Sequence, residues 1–316
     1  MKTEMRWWTG LRWALVLIVV ALMLVLAAAL GTHAIIFPEG AALAMGIWVL
    51  RIPGWSASRW RVAVLPPLCA LVGVLLARSD QPAWAAMLAA TAVALLVLQA
   101  CDSRLAPAVS AAVLPVVFDV RAWSYPVAVL VICAVVAAGM PWFGRRGDAP
   151  LHRGAKDSGR YPWSIVGAGA AVIAAWVLAG GEILALPAAV LAPPLFVSAL
   201  EWLGHRDGCR PHVGLRRWIL LVGAALAGSA ALALVPAAWL AGCLAVVVTL
   251  ALMRATATAH PPALAIALIP QILQPSARDP LDYTLAIAAG AGALYLATYA
   301  TAAVLARREG VASETT

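Results

Sequence analysis

Charge is what this chain has least of. Only 11% of its 316 residues are Asp, Glu, Lys or Arg, where a soluble domain carries about 25%. That leaves no room for a sizeable water-soluble domain. Histidine is scarce at five residues, and His33, His152, His205, His212 and His260 show no His-x-x-x-His spacing. Cysteine is equally sparse. Cys69, Cys101, Cys133, Cys209 and Cys243 form no Cys-x-x-Cys pair and are odd in number, which argues against a disulfide framework, a metal site or a cofactor. Neither a Glu-Glu-x-x-x-Arg stretch nor a paired-Asp motif lies on an expected helix. An intramembrane enzyme would need a metal cluster or a nucleophile with its base, so catalysis is disfavoured.

What the chain has in abundance is apolar sequence, 64% of residues, with a mean hydropathy of +0.93. A full crossing needs about 20 apolar residues. The runs predict spans near 11–31, 34–51, 60–78, 82–101, 105–119 and 123–143, then near 162–180, 184–203, 215–235, 237–254, 261–275 and 281–306. The first run is longer than a signal-peptide core and further spans follow it, so it reads as a membrane helix. The runs at 105–119 and 261–275 are too short to cross unaided. Each begins near a proline and holds another eight residues on, Pro115 and Pro270.

The two sets of six are related by a gap-free shift of 155 residues. Pro38 falls on Pro193, Arg51 on Arg206, Arg61 on Arg216 and Gly73 on Gly228. Trp84 falls on Trp239, Pro107 on Pro262 and Pro115 on Pro270. The expected fold is an all-α polytopic membrane bundle built from two parallel homologous repeats of about six segments each. Residues 1–143 form the first repeat, 144–161 a cytoplasmic linker, 162–308 the second repeat and 309–316 a tail. Short or proline-broken segments at matching places in two repeats point to a transporter's site.

The net charge of +8 reports orientation rather than nucleic-acid binding. Of the 22 basic residues, 19 fall on one side of the expected spans and only Arg78, Arg121 and Arg278 on the other. That places both termini and the linker in the cytoplasm, in a plasma (inner) membrane. Trp7, Trp8, Trp55, Trp60, Trp142, Trp163 and Trp218 cluster at the same boundaries, as interfacial anchors would.

The most informative local stretch is Thr256-Ala257-Thr258-Ala259-His260-Pro261-Pro262-Ala263-Leu264-Ala265. Prolines fit the first turn of a helix and cannot continue one. A helix is therefore expected to start at Pro261, with His260 at its mouth and the N–H groups of Ala263 and Leu264 free to bind an anion. Thr256, Thr258 and Arg254 lie just before it and complete a candidate substrate site with His260, Pro261, Pro262 and Ala263. The first repeat has Leu105 and Ala106 where His260 and Pro261 stand, and offers Asp102, Arg104 and Ser110 instead. Taken singly, each has a plainer role: Thr bonding to its own helix, Arg254 reaching lipid phosphates.

This stretch resembles the signature of the HPP family of integral membrane proteins, members of which are implicated in nitrite transport. The family usually has Gly where this chain has Leu264, and its earlier Pro-Ser-x-Gly-Ala stretch corresponds to Pro193–Ala199. The resemblance implies a transporter or channel for a small solute, with an inorganic anion such as nitrite or nitrate as the best guess. The alternatives are a non-transporting membrane scaffold or assembly partner and, less favoured, an intramembrane enzyme. The expected partners are an ion or small molecule and the lipid bilayer, with self-association into a homo-oligomer compatible with the sequence and nucleic acid not. In a variant lacking the native cysteines, cysteines introduced at Asp80 and Ser276 should react with an impermeant thiol reagent from outside only. Labelling of either from the cytoplasmic face would overturn the topology.

Overall fold

The computed structural model describes residues 2–144, 160–180, 192–204, 211–273 and 280–314, and side chains from Gly10 to Leu305 within those ranges. Most of the expected linker, the start of the expected span at 184–203, and Ser276 and Arg278 lie outside the described residues. Every regular element among the described residues is helical.

The elements are α1 Lys2–Ala29, α2 Glu39–Ala44, α3 Pro53–Ser56, α4 Arg59–Ala77, α5 Ala83–Ala100, α6 Pro107–Val117 and α7 Ser124–Gly144. They continue with α8 Trp163–Leu178, α9 Pro193–Gly204, α10 Pro211–Leu234, α11 Ala238–Ala255, α12 Pro262–Leu268, α13 Pro270–Leu273 and α14 Pro280–Glu314. Helix α2 runs directly into a π-helical turn, Met45–Val49.

Seven of these, α1, α4, α5, α7, α10, α11 and α14, are long and apolar enough to cross a membrane. The protein is thus a multi-pass integral membrane protein. Their outer faces carry Leu22, Leu26, Leu75, Leu96, Val127 and Leu296, all exposed. Large apolar side chains in that position suit a hydrocarbon solvent and no aqueous one.

The short helices show the opposite distribution. Every residue from Ile35 to Leu50, from Leu105 to Val116 and from His260 to Gln271 is buried, as is α9 apart from Glu201 and Gly204. The expected span at 34–51 is corrected here: its helical part is Glu39–Val49, 11 residues. At 1.5 Å per residue that covers about 16 Å, half of a bilayer core of about 30 Å. Pro270 divides the expected 261–275 helix into α12 and α13.

Short helices therefore form the core and long ones the wall. Helix α6 packs on α4, α5 and α9, and α12 packs on α10, α11 and α2, while α9 also touches α12 and α2 also touches α6. Among the short helices, α9 is thus the chief partner of α6, and α2 that of α12.

Two glycines let the wall approach the core closely. A Cβ at Gly73 on α4 would collide with the backbone carbonyl of Ala112 on α6. One at Gly228 on α10 would collide with the carbonyl of Ala267 on α12.

The polar residues sort into two ends. At one, Arg61 donates to the Asp102 carbonyl (2.6 Å), Arg104 to the Arg160 carbonyl (3.1 Å) and Gln99 to the Tyr161 carbonyl (2.9 Å). At the other, Arg78 donates to the Arg121 carbonyl (3.0 Å) and lies over Trp123, and Arg121 pairs with Asp119 (2.7 Å). Trp60, Trp142 and Trp163 are exposed, as anchors should be. Trp55 and Trp218 are corrections. Trp55 is buried over Gly46, and Trp218 donates inward to the Ala288 carbonyl (2.9 Å).

Gly73→Ala and Gly228→Ala should each destabilise the protein by about 1–3 kcal/mol through overpacking. Gly167, on the exposed face of α8 with nothing near its Cβ position, is the control. Gly167→Ala should stabilise slightly, by about 0.5–1 kcal/mol from helix propensity. Unfolding in detergent micelles reads all three.

Candidate functional site

The chain reaches His260 through a tight reversal. Helix α11 ends in a Schellman motif: the N–H of Thr258 bonds to the Met253 carbonyl (3.0 Å) and that of Ala257 to the Arg254 carbonyl (3.3 Å). Ala257 takes a left-handed conformation, φ +49°, unusual for a residue with a Cβ. The same closure ends α5, where Ser103 bonds to Leu98 (2.8 Å) and Asp102 sits at φ +47°. Pro261 then acts as the N-cap and Pro262 is the first residue of α12.

His260 is 3% exposed and turns into the protein. Its Nε2 lies 3.0 Å from the Ser198 hydroxyl on α9. Its ring stacks on the Trp202 indole, with centroids 6.2 Å apart and planes within 8°. Tyr295 of α14 meets Trp202 edge-on at 5.4 Å, and the Tyr295 ring fills the space beside Gly214 on α10. Three helices, α9, α14 and α10, thus hold the imidazole through one chain of contacts.

A hydroxyl carries one hydrogen. Ser198 is also 3.0 Å from the Pro194 carbonyl, which can only accept. If the Ser198 hydrogen is directed there, His260 donates through Nε2; in the other tautomer Nε2 accepts it. The indole face beneath would favour a cationic ring as well as a neutral one.

Other sequence-predicted residues fall elsewhere. The N–H of Ala263 bonds to the His260 carbonyl (3.1 Å) and that of Leu264 to the Pro261 carbonyl (3.0 Å). The free donors expected at this helix mouth are therefore already engaged, because the prolines start a tight turn that closes on itself. Thr256 bonds back to the Leu252 carbonyl (2.8 Å) and Thr258 to the Thr256 carbonyl (3.0 Å). Arg254 is exposed on α11. Asp102 and Arg104 make separate contacts. Asp102 is exposed and its carbonyl takes the Arg61 guanidinium, while Arg104 lies over the Tyr161 ring at 5.6 Å. Tyr161 donates to the Arg104 carbonyl (3.3 Å). Burial first, and then the Glu201 carboxylate, push its phenol well above the ordinary range against an opposing pull from Arg104, so it stays a neutral donor.

Ser110 is buried on α6 and donates to Glu39 at the start of α2. The structure puts Glu39 in the core at 1% exposure. Two further residues carried no sequence signal as site components. Trp202 supports His260, and Gln271, 1% exposed, has neither amide atom hydrogen-bonded. The Gln271 side chain lies beside Gly242 of α11, where Leu24 of α1 also approaches. Among the described residues no group of three His, Cys, Asp or Glu could hold a metal ion.

Residues 218–309 match the family model described as HPP, transmembrane region. The match runs from α10 into α14 and includes His260, so the resemblance read from Thr256–Ala265 is borne out over that region. No curated protein and no solved structure matches the chain.

The Ser198–His260 contact should register in a double-mutant cycle. Ser198→Ala, His260→Ala and the double variant, unfolded in micelles, should give a coupling of about 1 kcal/mol. Strict additivity would mean the two side chains are merely neighbours.

Proposed function

We propose, with an HPP transmembrane region at residues 218–309 as the premise, that the protein is a transporter or channel for a small solute. One observation carries this reading: proline-initiated short helices are fully buried inside a wall of full-length spans. Non-helical backbone at membrane depth is tolerated only within protein or along a water-filled path. Discontinuous segments meeting near mid-membrane are how many transporters hold their solute. A scaffold needs only the wall.

The solute we favour is an inorganic anion such as nitrite or nitrate. Support comes from the family resemblance, from the buried His260 imidazole, which can donate a hydrogen bond, and from Arg61, Arg104 and Arg160 at one end, which would concentrate anions there. With the N–H groups of Ala263 and Leu264 engaged, recognition falls to side chains, with His260 foremost. Catalysis is disfavoured on sequence grounds, the absence of a His-x-x-x-His spacing and of a paired-Asp motif on an expected helix.

We also read the two halves as parallel repeats, with both termini in the cytoplasm. Positions 155 residues apart share geometry. Gly73 meets Ala112 as Gly228 meets Ala267. Asp102 and Ala257 share a left-handed conformation. The carbonyls of Ala111 and Ile266 also correspond and each accepts from a tyrosine, Tyr125 (3.4 Å) and Tyr283 (2.8 Å), although the tyrosines themselves do not fall on the same shift.

Purified protein in liposomes should carry nitrite, nitrate or chloride. His260→Ala should lower that flux about tenfold, the worth of one good hydrogen bond. His260→Gln, which keeps a donor, should lose less, and exposed Arg254→Ala should stay near wild type. Absence of flux for all three anions would overturn the reading in favour of a scaffold.

A further inference from the structure

The Glu39 carboxyl belongs to no part of the arrangement around His260. Its Oε1 accepts the Ser110 hydroxyl. Its own N–H lies near the carboxyl, and Oε2 accepts no hydrogen bond. The elements packed on α2 are α1, α6, α7, α12 and the π-helical turn. Helices α6 and α12 and the turn contain no titratable residue. From α7 comes the Tyr125 phenol, with Cys133 beyond it, and from α14 the Tyr283 phenol. Both phenols donate to helix carbonyls rather than to Glu39. Within the described side chains of α1 the one charged group is Arg12, which donates to the Phe143 carbonyl near the end of α7. Among the described residues no basic group acts on the carboxyl.

A carboxylate so placed would be a buried charge without a cation, which is costly unless the charge is removed or paired. A proton on Oε2 removes it. Ser110 decides which oxygen is used, because Oε1 is already an acceptor and Oε2 is free to form the O–H bond. An acid of this kind at membrane depth is the usual element of a proton relay.

We propose that Glu39 is the binding site of a coupling proton: Oε2 takes a proton from water at one face of the membrane and releases it to water at the other during the transport cycle. The O–H bond formed on entry is the bond broken on exit, so no other reactant is needed. This rests on the transport reading above and adds its driving ion.

The test uses the full-length protein in liposomes. Infrared difference spectra of wild type against Glu39→Gln should show a protonated-carboxyl band that Glu39→Gln lacks. That band should be lost reversibly between about pH 5 and about pH 9, above the ordinary Glu value of about 4.3. Ser110→Ala should displace the pH at which it is lost. No such band, or one unchanged at the highest pH, overturns the proposal. In parallel, an internal pH dye should report proton entry with solute in wild type. Glu39→Gln should keep solute exchange and lose proton-driven accumulation. Unchanged proton-driven accumulation in Glu39→Gln, or accumulation that follows sodium and ignores pH, overturns the proposal while leaving transport intact. Absence of any solute flux in wild type overturns the transport reading and the coupling role together, and the infrared band then reports separately whether Glu39 holds a proton.

Discussion

In hydrocarbon every peptide N–H and C=O must find a partner within the protein, and this fold is organised around that requirement. A helix of 20 residues meets it unaided. An 11-residue helix flanked by prolines and irregular chain does not, so α2, α6, α9 and α12 are withdrawn from lipid and enclosed. The irregular stretches beside them are served piecemeal. The sulfur of Met23 accepts the N–H of Phe37 (3.3 Å), and the Trp48 indole donates to the Val136 carbonyl (2.9 Å). Tyr125 and Tyr283 reach carbonyls of α6 and α12. Among the described residues, most of these long-range polar contacts thus run from a side chain to a backbone group rather than between two charges.

The wall of this protein was legible in its sequence because lipid selects composition and length directly. The seven long helices stand where the apolar runs predicted them, and Pro107 and Pro262 mark true helix starts. The core was harder to read. A buried half-length helix and a lipid-facing span are both apolar, so 34–51 passed for a crossing. Only the placement of Pro38 and Glu39 hinted otherwise. The left-handed positions fall on Asp102 and Ala257, where no glycine announces them. The orientation of His260 depends on Trp202 and Ser198, some sixty positions earlier, and local spacing carries no trace of that. The anion-binding helix mouth failed on a local detail: Pro261 as cap allows Ala263 and Leu264 to close their own turn. The pairing of Ser110 with Glu39 was equally invisible, since it joins two short helices from different parts of one half.

The packing of α2 on α12 has a consequence for how the protein is made. A nascent chain emerges from its N-terminus, so Glu39–Ala44 enters the membrane long before Pro262–Leu268 exists. Until then this stretch, with its acidic residue, lacks one of the surfaces that cover it, and α6 likewise awaits α9. Insertion of the wall and completion of the core are therefore separate events in biosynthesis. A chain that stops after α11 would have its early spans in place and the contacts of its centre unfinished. Such a product is a natural substrate for membrane quality control, although the missing segment lies at the opposite end of the sequence from the residues it leaves uncovered.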